Sequence, residues 1–136
     1  MLTLELSSKY LDAAYRKSIE ANIPMCIAIV DEAGTLIAFK RMDDALPIST
    51  VLAQNKAYTA VMMRCNTKDL FENALPGNDL YGLNTIFGGK ITIFGGGVQI
   101  KLNGKTVGAI GISGGTTAQD IEVAEAAVAS VLSDHA

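Results

Sequence analysis

A chain of 136 residues, 49% apolar and 18% charged, is long enough to bury a real core and too apolar to be disordered. A formal net charge of −3 with scattered Lys and Arg argues against nucleic acid as a partner, because phosphate contacts need clustered cations. Apolar runs are too short to cross a membrane, and no basic segment followed by an apolar run opens the chain, so a single cytoplasmic domain over residues 1–136 is expected.

Residues 3–21 predict a helix, with Leu4, Leu11, Ala14, Tyr15 and Ile19 on one face and Asn22 and Pro24 ending it. Met25–Val30 reads as a well-covered strand. Asp31-Glu32-Ala33-Gly34 is turn chemistry, in which Asp31 bonds its own backbone, and Thr35–Arg41 is the returning strand. Ser49 or Thr50 is expected to cap a helix reaching Arg64, packed through Ala53, Ala57, Ala60 and Val61. Thr67 is expected to cap a short helix that Pro76-Gly77 breaks, and Leu80–Gly89 reads as a loop or short helix.

Ile91–Phe94 reads as a third strand, interrupted by Gly95-Gly96-Gly97. Asn103-Gly104 then lies between two period-2 runs, the strongest short-range hairpin signal. Thr116 or Thr117 starts a last helix with Ile121, Ala124, Val128 and Val131 on its apolar face, and Thr117 and Asp120 stand at capping-box spacing. Two hairpins imply an α+β fold, a mostly antiparallel sheet with packed helices. The glycine clusters have neither dinucleotide-binding nor phosphate-loop spacing.

Cys26 and Cys65 are the only cysteines; they are expected as free thiols and have no metal-ligand spacing. No nucleophile is paired with a base and no carboxylate pair is secured by spacing, so no catalytic residue is assigned. His135, the sole histidine, lies next to the C-terminus and reads as a tail residue. Two features remain for binding. Ser113-Gly114-Gly115-Thr116-Thr117 leads from strand to helix, where free amides attract an anionic group. Lys56 interrupts a small-residue helix; as a structural residue it reaches solvent or pairs with an acid, and as a functional one it aims a cation at those amides. The candidate ligand site is Lys56 with Asn55, Thr59, Gly114, Gly115, Thr116 and Thr117.

The chain resembles the haem-degrading-domain family (GlcG/HbpS-like) over nearly its whole length. The likeness is carried by Ile27-Ala28-Ile29-Val30-Asp31 with Gly34, Asn55-Lys56-Ala57-Tyr58-Thr59-Ala60, the glycine clusters at 88–89 and 95–97, and Val107 to Thr116 followed by Gln119-Asp120. The resemblance implies a profilin-like or PAS-like fold and a homo-oligomer, often an octamer. Three functions are expected from it and from the residues: binding of a small anionic ligand in an accessory metabolic role, binding or breakdown of haem, or a structural partnership with a diol- or glycerol-utilisation enzyme system. For haem, Cys26, Cys65, Met62, Met63 and Tyr58 have ligand chemistry, and each is more simply a packing residue.

Overall fold

The computed structural model describes residues 1–135, and side chains through 134. Helix α1 (Leu4–Ala21) is followed by strands β1 (Cys26–Asp31) and β2 (Leu36–Arg41) and by helix α2 (Ser49–Met63). Short 3-10 turns at Thr67–Leu70, Glu72–Ala74 and Leu83–Thr85 and a single turn α3 (Ile86–Gly89) lead to β3 (Gly97–Leu102), β4 (Lys105–Ser113) and α4 (Thr117–His135). The sheet order is β2-β1-β4-β3 and every neighbouring pair is antiparallel. This is the expected α+β class.

Alternation along β1 and β4 sorts side chains to two faces. Ile27, Ile29, Ile110 and Ile112 join Val98 and Ile100 against α1 and α4. Cys26, Ala28, Val30 and Ala109 meet Ala53, Ala57, Ala60 and Val61 of α2 on the other face. The α2 face is thin because its contacts are small. Ala28, Gly111 and Gly97 lie side by side across β1, β4 and β3. A Cβ on Gly111 would strike the carbonyl of Ala53 and come within 2.7 Å of the Ala57 nitrogen, and one on Gly97 would strike the Lys56 carbonyl. The helix backbone therefore rests almost directly on the sheet.

Local chemistry fixes the turns. Asp31 Oδ1 accepts from the amides of Ala33 (2.9 Å) and Thr35 (3.0 Å), as its turn position predicts. Asn103 and Gly104 both have positive φ, 53° and 78°, as the tight hairpin requires.

Several expectations are corrected. Ile91–Phe94 is not a strand: the Thr92 amide donates to Thr59 Oγ1 (2.9 Å) instead of to a ladder, so the sheet has four strands. The buried side of α1 is Ser7, Tyr10, Ala14 and Ser18, while Leu4 and Ile19 are exposed. Ser18 is tolerated there because its hydroxyl donates to the Ala14 carbonyl (2.8 Å). Helix α2 has Ile48 at its N-cap with no side-chain cap, and Ser49 accepts instead from the Ser113 hydroxyl (3.2 Å). Thr67 is the first residue of its turn rather than its cap, and its Oγ1 accepts from the Gly97 amide (2.9 Å).

Gly111→Ala is expected to cost about 1–3 kcal/mol or more, because neither colliding atom belongs to a side chain that can turn away. Gly104→Ala meets open space and costs about 1–2 kcal/mol from left-handed backbone alone. Urea unfolding of both variants checks the ranking; a larger loss at Gly104 than at Gly111 contradicts the close approach of α2.

Candidate functional site

The expected ligand cluster is built around Lys56, and the structure gives that lysine an internal partner. Lys56 stands on α2 with only 1% of its surface exposed. Its ammonium donates to the Ile112 carbonyl at the end of β4 (2.9 Å) and to Asp120 Oδ2 on α4 (3.0 Å). The pair thus joins the helices on opposite faces of the sheet. Glycine opens its route: a Cβ on Gly96 would lie 2.7 Å from Lys56 Nζ and 2.8 Å from its Cδ, and one on Gly95 would strike Ile121. The Phe94 ring, 5.3 Å from the ammonium, adds a polarizable neighbour.

Asp120 also fills the place foreseen for an external anion. Its Oδ1 accepts from the Gly115 amide (2.9 Å). Thr116 and Gln119 form a reciprocal capping box: the Thr116 amide donates to Gln119 Oε1 (2.8 Å) and the Gln119 amide to Thr116 Oγ1 (3.2 Å). The box lies one residue before the Thr117–Asp120 pairing expected from spacing, which frees Asp120 for the glycine amide and for Lys56. Gly114 has φ 148°, and a Cβ there would strike the Pro24 carbonyl. The picture of open amides facing a free ammonium is corrected accordingly: Asp120 takes the Lys56 ammonium and the Gly115 amide, and Gln119 takes the Thr116 amide.

Burial acts on both charges. Desolvation pushes the Lys56 pKa below its ordinary value, and Asp120 pulls it back. Desolvation raises that of Asp120, opposed by Lys56 and by the amides of Gly115 and Gly114.

The remaining expected residues divide. Thr59 is buried; its hydroxyl donates to the Asn55 carbonyl (2.7 Å) and accepts from Thr92. Thr117 is exposed in the first turn of α4. Asn55 lines two adjoining grooves. One, of about 370 Å³, runs between α2 and the 84–94 segment and is lined by Leu52, Asn84, Ile91, Thr92, Ile93 and Phe94 among others. The other, of about 160 Å³, is lined by Val30, Gly34, Leu36, Gln54, Tyr58 and Lys90 besides Asn55. Two further grooves between α1 and α4 carry mixed charge and none of the expected residues.

Tyr58 organises the smaller groove. Gly34 lets its ring approach, since a Cβ there would come within 2.7 Å of it. Lys90 Nζ sits 3.8 Å from the ring centroid, and Phe87 meets the ring edge-on at 6.0 Å. Phe87, Gly88 and Gly89 have φ of 56°, 68° and 88°, which turns the chain tightly and brings Lys90 over the ring. Lys90 was missed from sequence; the signal available was a lysine directly after a glycine pair beside an aromatic residue. Cys26 and Cys65 are free thiols, as expected. Among the described residues no cluster of His, Cys, Asp and Glu could hold a metal ion, and no helix is long and apolar enough to cross a membrane. The side chain of His135 lies outside the described ones.

Asp120→Asn keeps an acceptor for the Gly115 amide and strips Lys56 of its carboxylate. It is expected to cost about 3–5 kcal/mol at neutral pH. Lys56 then binds its proton less readily folded than unfolded, so the variant's stability rises with pH towards the ordinary lysine value of 10.5. Urea midpoints across pH 7–10 check this; a variant as stable as the parent, with no rise, contradicts it.

The family model described as haem degrading protein HbpS-like matches residues 2–129. The chain is 42% identical over 127 residues to a 15.0 kDa protein of the dhaT-dhaS intergenic region of Citrobacter freundii, covering 93% of this chain and 89% of that one. It is 43% identical over 119 residues to the corrinoid adenosyltransferase PduO of Citrobacter freundii, covering 88% of this chain but spanning only 36% of PduO. Among solved structures, the ORFY protein of Klebsiella pneumoniae superposes with a TM-score of 0.93 at 33% identity, covering 96% and 90% of the two chains. The PduOC:heme complex superposes with a TM-score of 0.91 at 38% identity, covering 95% and 94%. A match over nearly all of the sequence, carried by a fold shared with these structures, makes the chain a member of the HbpS-like haem-degrading protein family.

Proposed function

We propose that this chain binds haem, in the groove between α2 and the 84–94 segment. The observation that carries the reading is the 38% identity, over 95% of this chain, to a protein whose structure was solved as a haem complex. The groove suits the group on its own terms. Leu52, Ile91, Ile93 and Phe94 give it an apolar wall, and its volume of about 370 Å³ falls in the usual range for small-molecule sites. Of the residues lining the two grooves, Tyr58 alone has a side chain of the usual axial-ligand types. The fit rests on the apolar body of the ring rather than on an assigned iron ligand.

The reading includes self-association. Ile48, Val51, Ile86 and Phe87 are exposed apolar residues at 61%, 56%, 47% and 63%, and they belong to α2, its N-terminal approach and the segment facing it. A second copy over this side would bury them and cover the open groove.

Titration with haem should give a saturable Soret change at a fixed ratio per subunit, and Ile93→Asp should weaken it about tenfold or more by placing a carboxylate in the apolar wall. A featureless, unsaturable spectrum overturns the reading. Sedimentation at micromolar concentration should show an oligomer; a monomer removes the second copy from the account.

A further inference from the structure

We infer that Lys90, with Asn55, is the receptor for the carboxylate edge of an amphipathic ring ligand; in haem that edge is the pair of propionates. The inference rests on the haem reading and deepens it by fixing which end of the ligand lies where.

The two grooves share Asn55 and differ in chemistry. The larger is walled mainly by apolar side chains and the smaller holds an ammonium. Among the described residues, no acidic one lines either. A ligand with an apolar body and an anionic margin matches that division, body towards Ile93 and Phe94 and margin towards Lys90.

The two lysines on either side of this region behave differently. Lys56 is buried and has found its anion inside the chain, in Asp120. Lys90 is exposed, and among the described residues no carboxylate forms an ion pair with it. It is nonetheless held. The Tyr58 ring lies under its ammonium at 3.8 Å, and that ring packs close against the Gly34 backbone and pairs edge to face with Phe87. A cation resting on an aromatic face keeps its other side open to an anion and has already lost much of its freedom, which lowers the entropic cost of capture.

The test compares haem with haem dimethyl ester, whose propionates carry no charge, on wild type, Lys90→Gln, Lys90→Arg and Lys101→Gln. Wild type should bind haem about fivefold to tenfold more tightly than the ester, and the difference should shrink at high salt. Lys90→Gln should lose the preference, Lys90→Arg should keep most of it, and Lys101→Gln, an exposed charge on β3, should resemble wild type. If wild type binds haem and ester equally, or Lys90→Gln still discriminates, the assignment of Lys90 is overturned while haem binding stands. If neither porphyrin binds saturably, haem binding itself fails and takes the assignment with it.

Discussion

The buried pair Lys56–Asp120 is the interaction on which the rest of this architecture turns. The sheet separates α2 from α1 and α4, and apolar packing alone holds each layer only to its own face. The pair crosses at one end of the sheet, where β4 passes into α4, and ties the layers together at a point where hydrophobic contacts are replaced by a 3.0 Å ion pair. Such a pair adds little net stability over an apolar substitute, because two charges have left water. What it imposes is geometry: the ammonium is satisfied only when α2, the end of β4 and the first turn of α4 stand in one arrangement.

That constraint explains the glycines better than any ligand does. Gly96 leaves room for the lysine stem, Gly97 and Gly111 let α2 settle on the sheet, and Gly114 lets the chain turn past Pro24 into α4. With Asp120 holding the Gly115 amide and Gln119 holding that of Thr116, the strand-to-helix junction is an anion site whose anion is built in. The proposed recognition of an external molecule lies on the other side of α2, where Asn55, Tyr58 and Lys90 meet two grooves. Asn55 and Lys56 are neighbours in sequence, one facing the groove and the other the interior.

Much of this was legible in the sequence, and the failures have physical causes. The Asn103-Gly104 turn and the Asp31 turn follow from local chemistry, which sequence carries in full. The buried side of α1 was displaced because Ser7 and Ser18 read as polar, whereas one hydroxyl is satisfied by its own helix. Ile91–Phe94 has strand composition, but a threonine hydroxyl on α2 takes the amide a ladder would need. Lys56 stands out in sequence as a cation in a small-residue helix; its partner, 64 residues away, is invisible to any local pattern. Lys90 gains its meaning only from the ring beneath it, a contact made by the turn through Phe87-Gly88-Gly89.

Under the proposed function, ligand recognition lies beside α2 and not at the start of α4. Amide chemical-shift mapping with zinc protoporphyrin tests it most directly. The account predicts perturbations concentrated at residues 52–58 and 84–94, with the amides of Gly114 to Thr117 unmoved. Perturbations centred on Gly114 to Thr117, with the α2 groove silent, would contradict it.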